Sequence, residues 1–233
     1  MLTENKFSKY LLYAIGEIVL VVIGILIALS INNWNEKQKL KKIEIKILKE
    51  MKLAINDDIE RLNYNIKTYN SVKRAIEIII EQLPLETPTS DSLQYAFQQS
   101  LFNNKVLPNT GAYETLKAKG IDLISNDSLR IQIIDVYEKK YKYFQDSAQN
   151  LFLSESFIQE YCATLFNNLD YFSNENTMVP NNYVALQKDT LYNTIINTRL
   201  SQVTFSLMSL TWDIEIVQQL DKTIMTEIKR LEE

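Results

Sequence analysis

LLYAIGEIVLVVIGILIALSI, residues 11–31, contains only four residues that are not plainly apolar: Gly16, Glu17, Gly24 and Ser30. A bilayer core of roughly 30 Å calls for about 20 such residues in a helix rising about 1.5 Å each. The stretch therefore reads as one transmembrane helix, residues 11–31. The lead, MLTENKFSKY (1–10), carries Lys6 and Lys9 and looks like the basic start of a secretion signal. The apolar run is too long for a typical signal, and Asn32-Asn33-Trp34 is no small-residue cleavage site. An uncleaved anchor is expected. Tyr10 and Tyr13 at one end and Trp34 at the other suit the two interfaces, where amphipathic rings gather.

Outward from this span, composition bounds the rest of the chain. Residues 32–233 are enough for one domain with a sizeable core. Of the whole chain, 46% is hydrophobic and 23% charged, an ordinary globular balance. Only 4 Gly and 4 Pro occur, so long helices with few turns are expected. Net charge is −4, which leaves no general footprint for nucleic acid. There is no histidine, the usual general base, metal ligand and pH switch. Cys162 is the only cysteine and forms neither an internal disulfide nor a CxxC site.

Two patches carry a resemblance. NKFSKYLLYAIGEIVLVVIGILIALSINNWNE, residues 5–36, resembles the opening of an uncharacterised family of single-pass membrane proteins common in Bacteroidota. Ala112-Tyr113-Glu114-Thr115-Leu116-Lys117, then Gly120 and Leu123-Ile124-Ser125-Asn126-Asp127, resembles the same family's AYExLKxxG…LIxND stretch. The resemblance implies an architecture and no activity, because the family is a domain of unknown function.

Orientation is pulled two ways. Behind the span stand Lys37, Lys39, Lys41, Lys42 and Lys46, and counting basic residues keeps the large domain in the cytoplasm. An anchor close behind a lightly basic lead instead keeps its N-terminus inside, and long domains translocate largely regardless of charge. The expectation adopted is a single-pass protein of the inner (cytoplasmic) membrane with its domain in the periplasm.

Beyond the span, apolar residues recur in steps of 3 and 4. The first series runs Ile45, Leu48, Lys52, Ile55, Ile59, Leu62, Ile66, Tyr69, Lys73, Ile76, Ile80, Leu83. The second runs from Ile134 through Tyr137, Tyr141, Phe144, Cys162 and Leu165 to Leu169, and the third from Asn193 through Ile196, Leu207 and Ile224 to Leu231. Of 35 seats, 30 suit a core, where chance would place about 16. The stripes are wide, which belongs to a globular bundle rather than a narrow two-stranded seam. The expected fold is all-α: the transmembrane helix, then an antiparallel bundle of three long heptad-patterned helices within 32–233. Residues 92–125, with short helices at each end, are expected to cap the bundle far from the membrane. Asn126 or Asp127 is the expected N-cap of the second long helix and Gly120 a C-cap.

No spacing matches an EF-hand, P-loop, nucleophile elbow or zinc site, so no catalytic residue, metal or cofactor is expected. Leu107-Pro108-Asn109-Thr110-Gly111 spells LPxTG, but the apolar span lies at the other end and a turn is the simpler reading. Asp57, Asp58 and Glu60 read as a solvated face, because neighbours one apart on a helix diverge. Cys162 reads as a small buried hydrophobe. Lys52, Lys73, Glu155 and Asp221 on core seats are candidates for pairing across helices. The remaining candidate is the face of the span carrying Glu17, Gly24 and Ala28, where Gly24 and Ala28 each lie within about 20° of Glu17 at 100° per residue. A small, polar stripe lets a second helix approach and hydrogen-bond. The expected function is a non-enzymatic, membrane-anchored bundle for protein interaction, sensing or scaffolding. Its partners would be the bilayer and either a second copy or another membrane protein on the span. The alternative is an accessory subunit of a membrane transport or ion-driven complex that uses Glu17.

Overall fold

A computed structural model describes residues 4–85, 90–104, 107–169 and 178–233, with the side chains of 4–9 and 144–155 outside the description. The first helix, α1 (Glu4–Gln82), runs without a break through both the apolar span and the first heptad series. Short helices α2 (Asp91–Ser100) and α3 (Gly111–Lys119) come next. A 3₁₀ turn (Ile121–Leu123) then leads to α4 (Asp127–Ile134). A π-helical turn (Asp135–Lys140) joins α4 to α5 (Tyr141–Leu165). Helix α6 (Tyr183–Gln187) and the long α7 (Thr190–Glu232) complete the chain. The all-α expectation holds: among the described residues the sole β feature is an isolated bridge from Phe166 to Pro180.

Local chemistry sets the helix ends. Ser90, Asn126, Asn182 and Asp189 each cap a helix by accepting from an amide of the first turn. Gly120 sits at φ +102° after α3, where a Cβ would be strained.

Hydrogen bonds fix the direction of each element. Helix α7 runs antiparallel to α1: Lys52 meets Asp221 at 3.1 Å and Lys49 meets Glu232 at 2.6 Å at one end. At the other end Gln187 donates to the carbonyls of Leu83 and Leu85. The cap expected at 92–125 is not confined to the far end: its described residues descend the whole flank of α1. Tyr69 Oη donates to Asn103 Oδ1 (2.6 Å), Arg61 to the Leu107 carbonyl (3.1 Å), and Asn109 N to Asp58 (2.8 Å). Finally Ser125 N donates to Glu44 (2.8 Å) at the end nearest the span. Tyr113, Leu116 and Ile124 need an apolar groove, and α1 offers one along its length. The run 127–165 then climbs back parallel to α1, so that Phe166 packs on Phe97 and Tyr192 at the far end.

The buried seam is also shifted from the expected one. On α1 every residue of the series 44, 48, 51, 55, 58, 62, 65, 69, 72, 76, 79, 83 is buried. Leu48, Ile55, Leu62, Tyr69, Ile76 and Leu83 belong to both registers. Between them the innermost seats are Met51, Asp58, Asn65, Val72 and Ile79, while Lys52, Ile59, Ile66, Lys73 and Ile80 are half-buried. On α7 the same shift brings Arg199, Asp213 and Glu227 into the seam. Lys52 and Asp221 do pair across helices; Lys73 pairs within α1 with Glu77. Phe144 and Glu155 lie outside the described side chains.

Ile55 is fully buried and Leu53, two residues away, is 71% exposed. Ile55→Asp places an unpaired charge in the seam and should abolish cooperative unfolding of the full chain in detergent, followed by circular dichroism. Leu53→Asp should leave the melting curve within about 0.5 kcal/mol of the parent.

Candidate functional site: an exposed apolar helix joined to polar layers in the seam

The first feature is the apolar part of α1. Its 18-residue window reaches a mean hydropathy of 2.8, and none of it is buried within the chain. It is the one helix among the described residues long and apolar enough to cross a membrane. Glu17, Gly24 and Ala28 share a face of this helix and all three are exposed. A Cβ added at Gly24 would meet nothing within 4 Å. Tyr10, Tyr13 and Trp34 are 73%, 77% and 61% exposed, at the two ends of the apolar stretch. From Trp34 to Ile43 the helix stays almost fully clear of the bundle and carries Lys37, Lys39, Lys41 and Lys42. Glu44 is the first buried residue after the span.

The second feature is a set of polar layers in the seam. Nearest the span, Glu44 Oε1 accepts from Ser125 N and Oγ at 2.8 and 3.0 Å. Next to it, Asn126 donates to Glu227 Oε2 at 2.8 Å, and Arg230 closes on the same carboxylate. Arg230 and Asn126 hold the Glu227 carboxyl below its ordinary range. One polypeptide turn, Ser125-Asn126, thus clamps α1 to α7.

Midway up, Asp58 accepts from Tyr141 Oη at 2.7 Å and from Asn109 N at 2.8 Å. Burial still pushes its carboxyl up, because the loss of hydration outweighs these two donors. Asp58 is 2% exposed and does not belong to a solvated face, which corrects the reading of the 57–60 acids for this member. Tyr113 stacks on Tyr137 with centroids 4.5 Å apart, and Tyr141 meets Tyr137 edge-on. Tyr113 Oη donates to Glu138, and Lys117 pairs with Glu138 at 2.9 Å while lying 5.4 Å over the Tyr113 ring. The π-helical turn presents Val136 and Tyr137 together to the core.

Farthest out, Arg199 lies buried at 3% exposure and donates to the carbonyls of Ser100 and Phe102. Ser100 is the last residue of α2, where carbonyls lack a partner within the helix, and Phe102 lies two residues beyond it. Burial lowers the guanidinium's affinity for its proton.

The second sequence patch acquires a structural meaning from these contacts. Tyr113 and Lys117 grip the π-helical turn, Leu116 and Ile124 enter the core, and Ser125-Asn126 forms the clamp. Sequence reasoning missed Glu44, Asp58, Arg199, Asp213 and Glu227. Their signal was present: Glu44 and Asp58 lie fourteen residues apart, as do Arg199, Asp213 and Glu227 in succession. That spacing is two heptads.

Cys162 is buried and its thiol is pushed up to about 12 by burial, in keeping with a packing role. Leu107 to Thr110 is irregular chain that leads into α3 at Gly111 and delivers Asn109 N to Asp58. Among the described residues no group of three or more His, Cys, Asp or Glu is placed to hold a metal ion.

A helical chain with one span-length apolar helix and a bundle of further helices is the class of protein that this geometry defines. A family model matches residues 17–186, and the chain belongs to that family, a family of unknown function (DUF6090). No curated protein and no solved structure matches it significantly.

Asp213 yields a test of the seam. Burial raises its carboxyl to about 7, against a weak hydrogen bond from Ser209 at 3.4 Å and the charge of Lys140. The folded chain keeps a proton there that the unfolded chain has lost. Stability contributed by this group is therefore present below about pH 4 and is lost as pH rises towards about 7. Asp213→Asn removes that dependence. Its stability relative to the parent should climb by at most about 1.4 kcal/mol per pH unit across the window, then level off. Urea melts of both proteins at several pH values give the difference directly.

Proposed function

We propose that the chain is a single-pass membrane-anchored helical bundle that serves as a protein-interaction or sensory scaffold, held in the cytoplasmic membrane with its bundle on the periplasmic side. The observation that carries this reading is the continuity of α1 from Glu4 to Gln82. The apolar part of that helix has no cover within the chain, and its next part is the innermost wall of the bundle. A push or rotation of the span is therefore delivered straight to Glu44, and through the Ser125-Asn126 clamp to α4 and α7. An unbroken helix is a stiff lever, and bistable packing at its end is what such scaffolds use to pass small shifts.

The span also offers an association face. Glu17, Gly24 and Ala28 combine close approach with a polar group whose exposure to hydrocarbon is costly. In this reading a second copy, or a different membrane protein, covers the stripe. A single observation favours the rival reading, an accessory subunit of a transport or ion-driven complex: Glu17 is a lone carboxyl within an otherwise apolar stretch. Such residues mark ion and proton paths in many membrane proteins.

Single-cysteine variants in native membranes, on a Cys162→Ser background, separate these readings. Positions 20, 24 and 28 should crosslink more strongly than 19, 23 and 26. Gly24→Leu should reduce that crosslinking several-fold, whereas Glu17→Gln should preserve it. Equal crosslinking at both sets would remove the stripe as an interface. Loss of a stoichiometric integral-membrane partner on Glu17→Gln would favour the transport reading. Protease accessibility of the bundle in right-side-out membrane vesicles reports its side: cleavage without lysis is expected, and protection until lysis would place it in the cytoplasm.

A further inference from the structure

Charge is spread unevenly along α1. The chain as a whole carries −4, yet residues 32–43 hold four lysines, Lys37, Lys39, Lys41 and Lys42, against one acid, Glu36, a local net charge of +3. Between residues 32 and 40 every side chain but Gln38 is exposed. Lys42 is exposed as well, and Lys41 is half-buried. Glu36 pairs with Lys39 at 2.7 Å. The next acid, Glu44, is buried and accepts from Ser125 N and Oγ. The other polar side chains of the stretch, Asn32, Asn33, Asn35 and Gln38, are neutral amides.

At 100° per residue Lys37, Lys41, Lys42 and Lys39 stand at about 0°, 40°, 140° and 200° around the helix axis. A face that docks on a partner is a stripe of about 100° or somewhat more. An arc of about 200° is too broad for one such face, whereas a layer that surrounds the helix meets all four lysines. With the apolar stretch in a bilayer, Trp34 comes about 4.5 Å past Ile31, at the level where indole rings gather. Lys37 and Lys42 follow at about 9 and 16 Å. Side chains on an α-helix lean towards its N-terminus, which here is back towards the bilayer. The headgroup layer is about 5–8 Å deep on each side, and charges beyond it still act over a Debye length of about 8 Å. All four ammonium groups fall within that reach.

We propose that residues 34–43 form a cationic collar that gathers anionic phospholipid headgroups around α1, with Lys37, Lys39, Lys41 and Lys42 as countercharges and Trp34 seated at headgroup level. A zwitterionic headgroup carries its own cation beside its phosphate, so it answers a surplus of +3 less well than an anionic one. The collar holds α1 at a set depth, and with it Glu44 and the Ser125-Asn126 clamp. The proposal rests on the apolar stretch lying in a membrane, and not on which side the bundle stands.

Fluorescence quenching of the full chain in vesicles tests this. Trp212 is 68% exposed, and Trp212→Phe leaves Trp34 as the one emitter. The vesicles contain equal parts of phosphatidylcholine and phosphatidylglycerol, brominated on the acyl chains of one lipid or of the other, so that only the position of the quencher changes. Bromine on phosphatidylglycerol should quench Trp34 about twofold more strongly than bromine on phosphatidylcholine at low salt. The ratio should fall to one at about 1 M salt, where the Debye length is about 3 Å. Replacing Lys37, Lys39, Lys41 and Lys42 together by Gln should also bring it to one while leaving the melting temperature unchanged. Equal quenching by the two lipids in the parent would overturn the collar and leave the membrane reading standing. Selectivity that survives the fourfold replacement would overturn it too, by placing the lipid contact elsewhere. No quenching by either lipid would mean that the apolar stretch is outside the bilayer, and the membrane reading would fail together with the collar.

Discussion

A helix whose first part is apolar and uncovered, and whose last part lines a bundle, has to carry two patterns in one unbroken register. Over its first part α1 presents apolar residues all round, and over its last part a single buried stripe. Every other element is arranged on that stripe. Helix α7 covers it from the opposite direction, the 91–125 segment lies along its flank, and α4–α5 closes the remaining side. Because the backbone of α1 satisfies its own hydrogen bonds throughout, the junction at residues 34–43 needs no help from neighbouring chain. Its lysines lie largely clear of the bundle, and Lys39 pairs with Glu36 at 2.7 Å.

The stripe is not purely apolar, and its polar members explain the chain path. A buried carboxylate without donors is costly, so Glu44 and Asp58 each require partners from another element. The descending segment supplies them as backbone amides at Ser125 and Asn109, and Tyr141 adds a hydroxyl. Arg199 plays the converse part by closing carbonyls at the end of α2. Purely apolar packing would tolerate a slip of one heptad along the seam. Layers of unlike polar groups, each matched to its own partners, do not, and register selection is the best-attested use of buried polar groups in helical assemblies.

Much of this was legible in the sequence. Steps of 3 and 4 found the helical runs, and residue type marked Asn126 or Asp127 as an N-cap, which is Asn126, and Gly120 as a C-cap. The position of the seam was not legible, for a definite reason. Choosing the register with the most apolar seats drew the reading to Ile59 and Ile66 and away from Asp58 and Asn65, which are the deeper residues. The return path of 91–125 was hidden because extended links at about 3.3 Å per residue give a short segment long reach, and no periodicity marks them. The contact between Arg61 and the Leu107 carbonyl is likewise one that local sequence does not encode.

The central claim is that span and seam are one rigid helix. It is tested most directly by pulsed electron paramagnetic resonance on spin labels at Asn35 and Leu53, both exposed, in a Cys162→Ser background in nanodiscs. An unbroken α-helix separates these backbones by about 27 Å. A single narrow distribution near that distance is the predicted result. A broad distribution, or a peak several ångströms shorter, would mean that α1 bends or breaks between the span and Glu44, and that the bundle is tethered rather than driven by the helix.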